Sequence, residues 1–201
     1  RRLLQFQQGG QPGISVYTLR YGSRPYGLAR DDLPYFRTIH SLAYRLIGVT
    51  PEQMFSTAHL REFADIMKLD VRSNVTLEEG TAYGAAAGDL LLFHENLSRA
   101  TETPLKQVWR EANAEYPFSH LERFRRGLSI FKASRKLLDF TDLLSVSSTE
   151  AAWPRLDTLL VDEGQDLSAL QWRCVREQAK VSDHVVVAGD DDQAIYRWAG
   201  A

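Results

Sequence analysis

The chain has 201 residues, and its 24 Lys and Arg residues nearly balance 26 Asp and Glu residues, which gives a formal net charge of -2. Hydrophobic residues make up 44% and charged residues 25%, as in an ordinary globular domain. No run of about 18 uncharged apolar residues occurs, so the sequence argues against a membrane-spanning protein. A single cysteine, Cys174, excludes an internal disulfide and a multi-cysteine metal site. We therefore expect an intracellular, cytoplasmic protein.

The charges are unevenly distributed along the chain. Residues 99–136 hold nine Lys and Arg residues against four acidic residues, whereas the rest of the chain is acidic. A basic segment within an acidic surround can face nucleic acid locally without making the whole protein basic. A solvated helix face explains the same pattern equally well, so the charge pattern leaves both interpretations open.

Residues 1–34 are rich in Gly, Pro, Gln and Arg, and one short run there, Ile14 to Leu19, is strand-like. After them, apolar residues recur at the spacing of one helix face, and Thr38 stands where it can cap that helix. These apolar residues are Ile39, Leu42, Ala43, Leu46 and Ile47. We predict a helix that begins after Thr38 and leave residues 1–34 unassigned.

Residues 50–138 are predicted to form an all-helical subdomain. The stretch from Thr50 to Gln53 fits a capping box with proline at the first helical position, and further amphipathic segments follow, one of them directly after Asp89. Their apolar positions are Leu60, Phe63, Ala64 and Met67; then Leu90 to Ala100; then Leu105, Val108, Trp109 and Ala112; then Leu121, Phe124, Leu128 and Phe131. The basic side chains of the last segment lie mostly off its apolar stripe: Arg123, Arg125, Arg126, Lys132 and Arg135.

The hydrophobic period changes in the last third of the chain. Two short continuous apolar runs, Thr158 to Val161 and Val185 to Ala188, are typical of strands buried on both faces. Between them, a helix is marked by Leu167, Leu170, Cys174 and Val175. A strand, helix and strand of this kind form a βαβ unit, so we predict an α/β fold with a parallel sheet and a right-handed crossover.

Both predicted strands end in acidic residues. The first ends in Asp162 and Glu163, and the second in a run that contains Asp190 and reaches Gln193. Ligands of open α/β sheets bind at the carboxyl ends of the strands. Asp followed by Glu suits a nucleotide hydrolase, because Asp can hold hydrated Mg²⁺ and Glu can orient and deprotonate the attacking water. Gln193 could reach the terminal phosphate of the nucleotide. Two acid-rich turns without function are the alternative.

Four segments resemble motifs of UvrD/Rep/PcrA-type superfamily one DNA helicases, in that family's order. Residues 159–166 (LLVDEGQD) look like the Walker B segment, and residues 187–201 (VAGDDDQAIYRWAGA) resemble motif three. Residues 35–43 (YFRTIHSLA) are similar to the motif between the ATP site and the DNA. Residues 138–144 (LDFTDLL) match the segment that leads back from the family's helical insertion.

The resemblance implies a RecA-like first motor domain that is interrupted by a helical insertion. Residues 1–49 would form the N-terminal part of the motor domain, with residues 1–34 unassigned. Residues 50–138 would form the insertion, and residues 139–201 would form the part that carries Walker B and motif three. The expected fold is therefore a partial RecA-like parallel sheet with an inserted all-helical subdomain.

The resemblance also implies the roles of individual residues toward ATP, Mg²⁺ and DNA. Asp162 would coordinate Mg²⁺, Glu163 would be the catalytic base, and Asp190 would lie beside them in the nucleotide site. Gln193 would contact the γ-phosphate and couple hydrolysis to movement. Four residues would contact single-stranded DNA, two along its backbone and two by stacking on bases: Thr38, His40, Tyr196 and Trp198.

Several features of the family are missing from these residues. No Gly-x-x-x-x-Gly-Lys-Ser/Thr phosphate loop occurs, and no second family motif is recognisable in residues 1–34. Gly164 stands where many relatives carry an aromatic residue, which removes some packing beneath the acid pair. We therefore interpret the chain as a partial first motor domain without a Walker A loop or a second motor domain. Alone, it is expected neither to hydrolyse ATP nor to unwind DNA.

The main hypothesis is a fragment of a bacterial or phage-like ATP-dependent DNA helicase. Such an enzyme would translocate on single-stranded DNA and unwind duplex at junctions of single- and double-stranded DNA, 3′ to 5′ by resemblance. A non-catalytic DNA-binding remnant stays open, because the phosphate loop is missing while Tyr196 and Trp198 are intact. A metal-dependent nuclease or phosphohydrolase with ligands from Asp162, Glu163 and Asp190 to Asp192 is a less favoured alternative.

Overall fold

The computed structural model describes residue 35 and residues 37–71 and 86–190, together with the backbone of three short N-terminal strands. These strands are β1 (Gln5–Gly9), β2 (Val16–Tyr21) and β3 (Arg24–Pro25). Their backbones pair antiparallel in the order β1, β2, β3. The strand-like run predicted from Ile14 to Leu19 overlaps β2.

Seven α-helices and a parallel strand pair form the remainder of the described chain. The helices are α1 (Ile39–Leu46), α2 (Thr57–Met67), α3 (Ala87–Ala100), α4 (Leu105–Glu111), α5 (Phe118–Arg135), α6 (Phe140–Glu150) and α7 (Ala169–Ala179). Strands β4 (Leu156–Val161) and β5 (Ser182–Val187) pair in parallel, and α7 connects them. The fold is therefore mostly helical with a small parallel sheet, in agreement with the α/β class. Within the described ranges, no helix has both the length and the apolar character that crossing a bilayer requires.

Two predicted helix starts are confirmed by their hydrogen bonds. Thr38 caps α1, because its Oγ1 accepts the N–H of Ser41 at 3.2 Å. The Thr50 N–H donates to Oε1 of Gln53 at 3.0 Å, as in the predicted capping box. That box opens a single 3₁₀ turn, Pro51–Gln53, and α2 begins only at Thr57.

The predicted start of α3 is wrong by three residues. The helix begins at Ala87 rather than after Asp89. Asp89 lies in the first turn, where its Oδ2 accepts the N–H of Ala86 at 3.2 Å. A carboxylate satisfies free N–H groups of a helix start either from the cap or from the third helical position. The sequence alone does not distinguish these two positions.

Two apolar clusters hold the described helices together. The first lies between α2, α3, α4 and α5, and it includes all four apolar positions predicted for α5. Its members are Leu60, Phe63, Leu91, Leu105, Leu121, Phe124, Leu128, Phe131 and Leu137. The second joins α1, α6 and α7 and consists of Ala43, Leu143, Leu144, Leu170 and Cys174. Cys174 is a small core residue as predicted, and burial raises the pKa of its thiol.

A partly buried ion-pair cluster connects α3 and α5 with the start of α6. Arg99 donates to Asp139 through Nη1 at 3.0 Å and Nη2 at 2.7 Å, and to Oδ1 of Asp142 at 3.0 Å. Lys132 Nζ lies 2.7 Å from Oδ2 of Asp139 and 2.5 Å from Oδ2 of Asp142. Glu95 adds a third carboxylate, whose Oε2 accepts the Arg99 Nε–H at 3.0 Å. We call these five residues the Arg99–Lys132 cluster.

The Arg99–Lys132 cluster lowers the pKa of Asp139 and buries one basic side chain of α5. Burial alone would raise the pKa of Asp139, but the hydrogen bonds and charges of Arg99 and Lys132 outweigh it and hold that pKa well below its usual range. Lys132 is buried, so it is the exception among the basic side chains of α5 that were predicted to lie mostly off the apolar stripe. Its position depends on acids that follow the helix and fold back onto it.

The parallel pairing of β4 and β5 is confirmed, but the prediction that both strands are buried on both faces is wrong. Leu160 is 64% exposed, and Val185, Val186 and Val187 are 44 to 52% exposed. Among the described residues the sheet has two strands, and α7 is the helix that packs against both of them. A continuous apolar run predicts a strand but does not specify how many neighbours cover it.

Candidate nucleotide and nucleic-acid site

The carboxyl ends of β4 and β5 lie side by side at one edge of the sheet. The register pairs Val161 with Val187. Past the strands, the Ala188 N–H donates to the Val161 carbonyl at 2.8 Å, and the Gly164 N–H donates to the Ala188 carbonyl at 2.9 Å. These bonds hold the chain just past β4 next to the chain just past β5, at the place where α/β sheets bind ligands.

The acid pair at the end of β4 has distinct environments for its two members. Asp162 is exposed, and its Oδ1 accepts the N–H of Glu163 at 2.9 Å. Glu163 is half-buried, and its backbone is left-handed, with φ of 52° and ψ of 43°. For a residue other than glycine this conformation costs about 1–2 kcal/mol. Such a strained conformation persists only where the surrounding structure imposes it, and these conformations occur often at functional sites.

The side chain of Gln165 bridges the two strand ends, a link that the sequence did not predict. Its Nε2 donates to Oε2 of Glu163 at 2.7 Å, and its Oε1 accepts the N–H of Asp190 at 3.0 Å. Gly189 leaves room for this side chain, because a Cβ at residue 189 would lie 2.6 Å from Gln165 Oε1. The sequence signals that could have indicated it are the glutamine two residues after Glu163 and the Gly189-Asp190 pair that follows the next strand.

Gly164 allows the turn after β4 to pack directly against β5. It is buried, and a Cβ at this position would lie 2.9 Å from Cγ1 of Val187 and 3.4 Å from Cζ2 of Trp172. The expectation that glycine here removes packing beneath the acid pair therefore needs correction. Close approach of the backbone fills the space that a side chain would occupy, and it fixes the turn that carries Gln165.

The donor chemistry at this edge fits a hard divalent cation. The exposed Asp162 offers carboxylate oxygens, which are the ligands that Mg²⁺ prefers, and Mg²⁺ is usually held by one or two carboxylates with water and phosphate oxygens. No group of three or more His, Cys, Asp or Glu side chains suited to a metal ion occurs in the part of the chain that the structure describes. Asp191 and Asp192, which the nuclease alternative also uses, lie outside the described residues.

The predicted DNA-backbone residues lie at the start of α1. Thr38 uses its hydroxyl to cap the helix, whereas His40 is half-buried and lies edge-on to the ring of Phe140, with ring centroids 5.9 Å apart. Burial lowers the pKa of His40 and so favours the neutral imidazole over the charged one. A neutral imidazole can donate one N–H to a phosphate oxygen.

Phe140 is an exposed aromatic residue to which the sequence reasoning gave no role. It occupies the first position of α6 and is 64% exposed, beside His40. The sequence signal that could have indicated a role for Phe140 is its place in residues 138–144, which resemble a family motif. The remaining predicted residues, Gln193, Tyr196 and Trp198, lie outside the described residues, so their roles stay predictions.

Comparison with known proteins identifies the class of protein. The family model described as the UvrD/REP helicase N-terminal domain matches residues 27–201, and the chain therefore belongs to the UvrD/Rep helicase family.

Individual relatives agree with this assignment. The chain is 30% identical over 109 residues to the ATP-dependent DNA helicase Rep of Buchnera aphidicola subsp. Schizaphis graminum. The matched region covers 49% of this chain and 16% of that protein. It is 26% identical over 178 residues to YjcD of Bacillus subtilis, covering 82% of this chain and 22% of YjcD. It is 45% identical over 47 residues to DNA helicase II of Escherichia coli, covering 23% of this chain and 6% of that protein. The chain thus spans only a small part of the length of these curated relatives.

Proposed function

We propose that the chain forms part of the first motor domain of an ATP-dependent DNA helicase. The whole enzyme would couple ATP hydrolysis to translocation on single-stranded DNA, with 3′ to 5′ polarity, and to duplex unwinding. The observation that carries this proposal is the placement of Asp162 and Glu163 at the tip of β4, directly beside the tip of β5, in a chain of the UvrD/Rep family. In this proposal, residues 1–49 and 139–201 belong to the RecA-like motor domain, and residues 50–138 are its helical insertion.

The acid pair would divide the work of hydrolysis between an exposed and a half-buried carboxylate. Asp162 would hold Mg²⁺, and bound Mg²⁺ would supply positive charge to the phosphates of ATP. Glu163 would orient the attacking water and accept its proton. Asp190 would line the same pocket from β5, and Gln193 would contact the γ-phosphate.

Single-stranded DNA would be held by the start of α1 and by the residues beyond β5. A neutral His40 and the N-terminus of α1 behind Thr38 suit hydrogen bonding to the DNA backbone, because a helix start offers free N–H groups and a positive dipole end. Tyr196 and Trp198 would stack on bases, and the exposed ring of Phe140 adds aromatic surface beside His40. Base stacking contributes about 1–3 kcal/mol per base and tolerates every sequence, which suits a motor.

Steady-state ATP hydrolysis with and without oligothymidylate tests this proposal in the longest natural protein that carries residues 1–201. We expect single-stranded DNA to stimulate hydrolysis. The 201-residue chain alone is expected to be inactive, because its sequence contains no phosphate-loop lysine. DNA binding without any hydrolysis by the longest form would instead favour a non-catalytic remnant. Mg²⁺-dependent DNA cleavage without nucleotide would favour a nuclease, and either result would overturn the proposal.

A further inference from the structure

We propose that Gln165 is a positioning residue that holds the Glu163 carboxylate in its catalytic orientation and ties it to the segment after β5. The inference rests on the proposed function, in which Glu163 is the base. In this proposal Gln165 does not itself contact the nucleotide. It acts through two hydrogen bonds, to Oε2 of Glu163 at 2.7 Å and from the Asp190 N–H at 3.0 Å.

An amide is the side-chain group that this position requires. Gln165 must donate on one side, to a carboxylate, and accept on the other, from a backbone N–H, and an amide carries both functions on adjacent atoms. The opposite orientation of the amide would place its oxygen against the Glu163 carboxylate and its NH₂ against the Asp190 N–H. Both contacts would then be repulsive, so the pair of partners fixes the orientation of the amide.

The backbone that carries Gln165 is itself anchored on β5. Gln165 lies in the 3₁₀ turn Gly164–Asp166, and the first residue of that turn donates to the Ala188 carbonyl at 2.9 Å. The absence of a side chain at Gly189 gives the amide its access to the Asp190 N–H. Because Gln165 is half-buried and one of its partners is a carboxylate, the bond to Glu163 is of the stronger, charge-assisted kind.

The consequence concerns the position of the proposed base. Glutamate has several rotatable bonds, and the exposed edge of the sheet leaves the Glu163 carboxylate other conformations if Gln165 releases it. A displacement of about 1 Å at a reacting group can reduce the rate by roughly 100-fold. The same side chain also contacts the segment that leads toward Gln193, so the position of that segment bears directly on the base.

Three variants of the longest natural protein test this role with ATP hydrolysis at saturating oligothymidylate. Gln165→Glu keeps the acceptor for the Asp190 N–H but replaces the donor to Glu163 with a negative charge, and Gln165→Met removes both bonds. Gly189→Ala keeps the glutamine but places a methyl group 2.6 Å from the position of its Oε1. In all three we expect kcat to fall roughly 10- to 100-fold. The KM for ATP should not change, because the position of the Glu163 carboxylate affects the transition state and not the binding of ATP.

The controls separate positioning from a loss of folded protein. The kcat is expressed per nucleotide-binding site, titrated with a fluorescent ATP analogue, so that an unfolded fraction does not count. Gln171→Met is the matched substitution on α7, where Oε1 of Gln171 accepts the Ser168 N–H at 2.8 Å. It is expected to lower the thermal midpoint but not kcat. The effects of Gln165→Met and Gly189→Ala should not add in the double variant, because both act through one contact.

The possible failures are distinguishable. Wild-type kcat in both Gln165 variants, together with an inactive Glu163→Gln variant, would overturn the positioning role and leave the proposed function in place. A fully active Glu163→Gln variant would show that Glu163 is not the base, and it would overturn both the positioning role and the proposed function. A fall in kcat that is matched by Gln171→Met, or that adds fully in the double variant, would identify a purely structural effect and contradict the inference.

Discussion

Replacing Glu163 with glutamine is expected to lower DNA-stimulated ATP hydrolysis by roughly 10²–10⁴-fold, the range that a general base contributes. The substitution preserves the size of the side chain, and the new amide oxygen can still accept the hydrogen bond that Gln165 donates at 2.7 Å. An amide cannot accept the proton of the attacking water. Nucleotide binding should therefore survive, and a fluorescent ATP analogue would measure it beside the rate.

The matched control for this variant is Glu177→Gln on α7. Glu177 pairs with Lys180 at 2.7 Å on the surface of the protein. Surface pairs of this kind contribute little, so the control should hydrolyse ATP at the unmodified rate. Hydrolysis by the Glu163→Gln variant at the rate of this control would remove the base from the proposed mechanism.

Replacing Lys132 with methionine is expected to lower the free energy of unfolding by about 3 kcal/mol, the lower end of the cost of breaking a buried ion pair. The Lys132 side chain is 9% exposed, and its Nζ lies within 2.7 Å of carboxylate oxygens of both Asp139 and Asp142. Without it, two half-buried carboxylates share one remaining cation. Arg99 still contacts both, which is why we expect the lower end of the range. Urea unfolding of the chain, followed by far-ultraviolet circular dichroism, measures this loss.

Lys136→Met provides the control, because Lys136 is exposed at the carboxyl end of the same helix. Surface substitutions of this kind change stability by less than about 0.5 kcal/mol. Equal unfolding free energies for the two variants would show that the Arg99–Lys132 cluster does not join the helical segment to α6.

Sequence pattern predicted those parts of the fold whose information is local. In α5, Leu121, Phe124, Leu128 and Phe131 recur at helical spacing, and all four are buried. The strand–helix–strand unit was predicted in the same way, because short apolar runs flank an amphipathic segment. The acidic strand ends were located because they come directly after those runs. The role of Gln193, beyond the end of β5, remains a prediction.

The features that the sequence did not predict depend on contacts between distant residues. Lys132 is buried because Asp139 and Asp142 fold back onto α5, which the helical period of α5 does not encode. The bridge by Gln165 depends on the register of two strands and on the missing side chain at Gly189. The exposure of the valines in β5 depends on how many strands and helices pack against the sheet. A run of valines in the sequence does not indicate that number.

The most direct test of the central claim is a structure of the longest natural protein with Mg²⁺, a non-hydrolysable ATP analogue and oligothymidylate. We predict Mg²⁺ bound through Asp162, the Glu163 carboxylate facing the γ-phosphate with Gln165 still bonded to it, and Tyr196 or Trp198 stacked on a base. Nucleotide bound away from the tips of β4 and β5, or both aromatic rings buried away from the DNA, would contradict the claim.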